Sequence, residues 1–182
     1  PRYKALGTKV DEKYIQLNTA IIQIENEYYS SIRPKRIVGS GERPINALRE
    51  KGIEYVEIRA LDNNIYDPYG ISNETAIFLE SFLFYCLLSE DQPCEQDEIK
   101  KIQSNWGNVV LCGRDKDLKL DFKDGSAFLK DKAARIINEM ANLETRIGDQ
   151  EYKAIFKRSL ETQQNKVTNS DKTPSGKLLE EI

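Results

Sequence analysis

Apolar and polar positions alternate along the first third of the chain. Between Tyr14 and Glu27, Ile15, Leu17, Thr19, Ile21, Gln23 and Glu25 fall on one face, with Ile22 and Ile24 on the other, which is the period of a strand. Arg33-Pro34-Lys35-Arg36 ends or turns that strand, because proline has no N–H for a sheet interior. Gly39 to Pro44 reads as a loop, and a short helix from about Ile45 to Lys51 stops at Gly52. Ile53 to Leu61, rich in β-branched and aromatic residues, is the clearest strand, and Asp62 to Gly70 is rich in turn formers.

The period then changes to that of a helix. Ser72 is suited to cap a helix reaching about Ser89, apolar nearly all round and so expected to be deeply buried. Glu95 to Leu111 places Ile99, Ile102, Trp106, Val109 and Val110 at amphipathic spacing. Ala127 to Ile147 repeats the pattern up to Gly148, and a further helix from about Gln150 to Gln164 turns Tyr152, Ile155, Phe156 and Leu160 inward. Asn165 to Lys177 reads as a polar loop, and Lys177 to Ile182 as the opening turns of another helix. The expected fold class is α+β, with antiparallel strands in the first half and helices packed on one side or end. It divides into a strand-rich part (1–71), a helical part (72–164) and a polar loop with a short helix (165–182), all within one domain. Strands missing from such a sheet would leave an open edge that invites association.

Composition narrows the chemistry. Of 182 residues, 39% are hydrophobic and 31% charged, with a net charge of −3, which suits a globular protein and gives nucleic acid no global basic field. The longest apolar stretch, Ala76 to Leu88, is interrupted by Glu80 and Ser81 and falls short of a membrane span, so a cytoplasmic setting is expected. The three cysteines, Cys86, Cys94 and Cys112, have neither disulfide-framework nor zinc spacing, and Cys86 reads as a core residue. Histidine is absent, so a Ser–His or Cys–His triad cannot be assembled from these residues alone. A metal would need carboxylate ligands, which selects Mg²⁺, Mn²⁺ or Ca²⁺ over zinc. The opening Pro1 and an end inside an apolar-patterned helix suggest a piece of a longer chain.

Three groups of residues carry candidate chemistry. On a strand through 53–62, Tyr55, Glu57 and Arg59 share one face, while Val56, Ile58 and Ala60 share the other, which should be buried. Two readings stand for the polar face: an ordinary solvated pair, or a site floor with Glu57 toward a hard cation and Arg59 toward a carboxylate or phosphoryl group. Glu25 and Glu27 bring like charges together, either frayed into water or bridged by a cation. Arg33, Lys35 and Arg36 cluster on a constrained turn, where they are either solvated or hold a polyanion. No P-loop or dinucleotide fingerprint occurs.

Taken in order, Gln23-Ile24-Glu25-Asn26-Glu27-Tyr28-Tyr29, Ile32-Arg33-Pro34-Lys35-Arg36, Ser40-Gly41-Glu42 and Gly52 to Asp62 resemble the central to C-terminal part of proteobacterial glutamate–cysteine ligases. The likeness continues through Asp67-Pro68-Tyr69-Gly70-Ile71 and Asn105-Trp106-Gly107-Asn108, thinning between about Lys116 and Thr162. It implies part of a larger glutamine-synthetase-like ligase fold that uses ATP and Mg²⁺, or Mn²⁺ in its place. The reaction implied joins the γ-carboxylate of L-glutamate to L-cysteine through an acyl phosphate, the first step of glutathione biosynthesis. By matching position the resemblance makes Glu57 a catalytic metal carboxylate and Arg59 a catalytic contact to phosphorylated glutamate. It places Tyr29 in the cysteine pocket and Glu25, Glu27, Arg33, Lys35 and Arg36 around the nucleotide. An N-terminal remainder of the same enzyme would supply the other ligands, so the chain alone should be inactive. The alternatives are a related ligase acting on a different amine and a non-catalytic nucleotide-binding module.

Overall fold

The computed structural model describes residues 2–19, 30–90 and 93–182. The chain separates into two compact units, Pro1–Asp62 and Asn63–Ile182.

The first unit is built of short pieces. Helix α1 (Arg2–Leu6) leads to a ribbon of β1 (Lys9–Val10) and β2 (Lys13–Tyr14), whose turn holds Asp11 and Glu12 at φ 47° and 62°. Positive φ at both central residues is the hairpin geometry that matches strand twist. The strand expected over 14–27 therefore covers only Tyr14 among residues 14–19, and the remainder of that stretch, 20–29, lies outside the described residues. Strand β3 (Ile32–Lys35) pairs antiparallel with β4 (Tyr55–Ile58), with helix α2 (Pro44–Lys51) between them in sequence. Proline begins α2, where its missing N–H costs no helical bond, and Gly52 at φ 77° ends it.

The second unit packs three helices around one core. Helix α3 (Asn73–Leu88) and helix α5 (Leu129–Ala141) lie against α6 (Gln150–Thr168), enclosing Ile137, Met140, Phe156 and Leu160. Burying each such side chain contributes about 1.5–3 kcal/mol relative to leaving it exposed. Ser159, fully buried, donates its hydroxyl to the Glu74 carbonyl (2.8 Å) and joins α6 to α3 without an orphaned polar group. The helix starts follow their caps: Ser72 accepts from the Thr75 N–H and Asp149 from that of Tyr152.

Several expectations are corrected here. Helix α3 is not deeply buried: Phe84, Leu87 and Leu88 stand open, because α5 and α6 cover only one of its sides. Cys86, on the same helix, is exposed rather than in the core. A hairpin of β5 (Lys119–Phe122) and β6 (Gly125–Phe128) precedes α5, so Ala127 and Phe128 belong to a strand and not to a helix. The edge of β5 is closed by α4 (Gln96–Cys112): the Asn105 amide donates to the Asp121 carbonyl (2.7 Å) and accepts the Asp121 N–H (2.9 Å), imitating a neighbouring strand. Residues 165–168 extend α6. After a turn at Ser170–Lys172, α7 (Pro174–Glu181) begins where a loop was expected, with Thr173 capping the Gly176 N–H. Proline at the first helical position behind a threonine is a helix start, not a break.

Candidate functional site

The β3–β4 pair sets the candidate residues by register. Arg33 faces Glu57 and Lys35 faces Tyr55, so all four share one side, while Ile32, Pro34, Val56 and Ile58 share the other. Arg59 follows β4 directly, and its N–H donates to the Ser31 carbonyl (2.7 Å), which carries the ladder one pair further and keeps Arg59 on the Glu57 side. The apolar side expected to be buried is open: Ile32 is 45% and Val56 36% exposed. The charged side is the more enclosed of the two.

Glu57 sits between two cations. Its Oε2 lies 3.5 Å from Lys35 Nζ and 3.9 Å from Arg33, pairs too long or too poorly aligned to be hydrogen bonds. That oxygen is shielded from solvent and accepts no hydrogen bond, so its lone pairs are unused. A buried carboxylate oxygen in that condition costs free energy that a closer donor or a cation would recover. With part of each side chain in solvent, the two ion pairs together stabilise the sheet by only about 1 kcal/mol.

Arg36 does something different. Its guanidinium donates to the carbonyls of Lys51 (2.8 Å) and Gly52 (2.7 Å) and lies 3.6 Å from Glu54, whose carboxylate also accepts the Ile37 N–H (3.1 Å). These carbonyls end α2, where backbone acceptors are orphaned and the helix dipole is negative. Next to it, Glu42 accepts from Lys51 Nζ (2.7 Å) and from the Gly39 N–H (3.0 Å), and those contacts hold its carboxyl below the usual range. Sequence reasoning passed over Glu54 and the bracing role of Glu42. Both are scaffold groups that fix the 36–54 segment behind the charged face.

Charge decides what this face can hold. Among the described residues of the β3–β4 pair, Arg33 and Lys35 outnumber Glu57, a balance that favours an anion. Among the described residues no three acidic, cysteine or histidine side chains converge to enclose a metal. Glu57, with its free oxygen lone pairs, fits as one oxygen ligand of a hard cation that arrives already bound to a polyanion, but not as a complete site. Tyr29, Glu25 and Glu27 lie outside the described residues.

Comparison with known proteins places the chain in a family. The family model for glutamate-cysteine ligase matches residues 1–109. The glutamate–cysteine ligases of Alcanivorax borkumensis and Pseudomonas putida are each 41% identical, over 100% and 98% of this chain but only 36% and 34% of their own length. The crystal structure of the Francisella tularensis glutamate–cysteine ligase in complex with AMP superposes with a TM-score of 0.79 at 40% identity, over 98% of this chain and 36% of that one. The class defined is therefore that of ligases, of which this chain spans about a third. Within it, the chain belongs to the glutamate–cysteine ligase family. Its mixed helices and small antiparallel sheets match the Francisella protein's fold over the shared region. No helix among the described residues is long and apolar enough to cross a membrane.

Proposed function

We propose that the chain forms one wall of the active site of an ATP-dependent ligase joining the γ-carboxylate of L-glutamate to the amine of L-cysteine, the first step of glutathione biosynthesis in the cytoplasm. The observation that carries this reading is the β3–β4 face, where Arg33 and Lys35 flank a carboxylate with an unused, shielded oxygen and Arg59 follows on the same side, in a chain of this family. In the reaction a glutamate γ-carboxylate oxygen attacks the γ-phosphorus of ATP and ADP departs. The cysteine nitrogen then attacks the acyl carbon, loses a proton and expels inorganic phosphate. Negative charge accumulates on the transferring group, so fixed cations already in place supply much of the catalysis.

Arg59 is assigned to the phosphorylated glutamate, and Arg33 and Lys35 to the nucleotide phosphates. Glu57 is the residue here that would hold Mg²⁺, or Mn²⁺ in its place; bound there, the ion would neutralise phosphate charge and polarise the phosphoryl oxygens. Arg36 contributes by fixing the segment that carries these side chains. Tyr29 is assigned to the cysteine pocket, and Glu25 and Glu27 to the metal and nucleotide shell. The remaining ligands would come from the part of the family's polypeptide that this chain does not span, within a glutamine-synthetase-like ligase fold, and the 182 residues alone would be inactive. The AMP held by the Francisella relative supports a nucleotide site of this kind.

The test is a graft in which these 182 residues replace the matching third of the Francisella enzyme. By calorimetry, Arg33→Met and Lys35→Met should each weaken MgATP binding by about tenfold, the loss of one charge-assisted contact. Unchanged affinity in both would remove the nucleotide from this face.

A further inference from the structure

A cavity lies wholly within the helical unit, lined by none of the residues assigned above, and it does not rest on the ligase reading. It encloses about 300 Å³ between α3, the 3-10 turn after α5 (Asn142–Arg146) and the start of α6. Phe84, Leu88, Leu143, Ile147 and Phe156 make its walls, and its exposed surface is mainly apolar. Phe84 and Leu88 are 53% and 56% exposed at its mouth, so the cavity is open to small molecules.

The polar groups around it are engaged with one another, with one exception. Ser81 donates to the Ile77 carbonyl (2.7 Å), and the Tyr152 hydroxyl donates to Glu80 (2.6 Å). Glu144, two residues before Arg146, is held by Lys157 (3.1 Å) and Lys153 (3.9 Å). Arg146 itself lines the cavity yet has no ion pair or side-chain hydrogen bond with any described residue. An apolar chamber of that size with one unpartnered guanidinium at its rim matches an amphipathic anion: a hydrocarbon body inside and a planar carboxylate on the fork of the arginine.

We propose that this cavity binds a small monocarboxylate with an aromatic or branched aliphatic body, of about 10–14 non-hydrogen atoms at the volume available. Binding of 4-phenylbutyrate to the full 182-residue chain, followed by calorimetry and by ligand-observed NMR, tests it. Saturable binding in the low millimolar range or tighter is expected for a ligand of that size. Replacing the carboxylate by its amide, or Arg146 by glutamine, should each weaken it about tenfold. Leu143→Trp, which fills the chamber, should abolish it. Arg146 is at the surface, so Arg146→Gln leaves the fold intact even if Leu143→Trp does not. Equal binding of acid and amide, indifference to Arg146→Gln, or no saturable binding would each overturn the proposal. Self-association relieved by Leu88→Arg, without probe binding, would give the cavity to a second copy of the chain and overturn it as well.

Discussion

Arg36 separates scaffold from site more sharply than any other residue on the charged face. Arg36→Ala removes two charge-assisted hydrogen bonds, to the Lys51 and Gly52 carbonyls, and leaves Glu54 without its cation. A charged hydrogen bond contributes about 1.5–3 kcal/mol, but acceptors near the surface regain water when it is lost, so a net loss of about 1 kcal/mol applies to each. With a small loss from the helix dipole, the total is about 2–3 kcal/mol. Lysine, a point charge without a fork, should recover about half. The assay is hydrogen exchange of the α2 amides, above all the Gly52 N–H, which donates to the Leu48 carbonyl (3.0 Å) and reports the last turn directly. Protection should fall roughly 30- to 150-fold in Arg36→Ala, the ratio that 2–3 kcal/mol implies. A change of less than about threefold, together with a loss of MgATP affinity in the grafted enzyme, would refute the bracing role and return Arg36 to the ligand.

Other outcomes follow from the helical unit. Phe156, 1% exposed among Ile137, Met140 and Leu160, should cost about 3–5 kcal/mol when cut to alanine, read as a lower urea midpoint at unchanged slope through Trp106 fluorescence. A loss below about 1 kcal/mol would mean that the core lies elsewhere. Tyr152 is pushed up to about 12 by burial and by its bond to Glu80, so its phenol should titrate late in an ultraviolet difference titration. Because its folded pKa is raised above the unfolded one near 10, its contribution to stability is complete below pH 10 and is lost as pH rises toward 12. Tyr152→Phe should remove one phenol from the late phase, and Glu80→Gln should move that phenol only partway back, since burial is the larger cause.

How much was legible in the sequence depended on whether a signal was local. The alternation across 53–61 put Glu57 and Arg59 on one side of a strand, and the structure keeps them there, because period-two geometry needs no tertiary information. That Arg33 faces Glu57 was not readable, since register between strands separated by a helix is set by packing rather than by spacing. The same limit hid the exchange of faces: Val56 reads as core but is exposed, because alternation tells which residues share a face and not which face is covered. Helix α3 misled for a related reason, since an all-round apolar helix is buried only when neighbours exist on every side. Two local signals were available and passed over: Thr173-Pro174, which starts α7, and Asp124-Gly125, which turns the hairpin before α5. The Arg146 cavity depends on three elements meeting, and no pattern along the chain announces it.

The central claim, that the β3–β4 face belongs to the ligase active site, is tested most directly by turnover of the grafted enzyme with glutamate, cysteine and ATP. Glu57→Gln and Arg59→Ala should each lower formation of γ-glutamylcysteine at least ~100-fold while melting and secondary structure stay unchanged, since each removes charge stabilisation realised in the transition state. Turnover within a few-fold of the unsubstituted graft in both variants would contradict it.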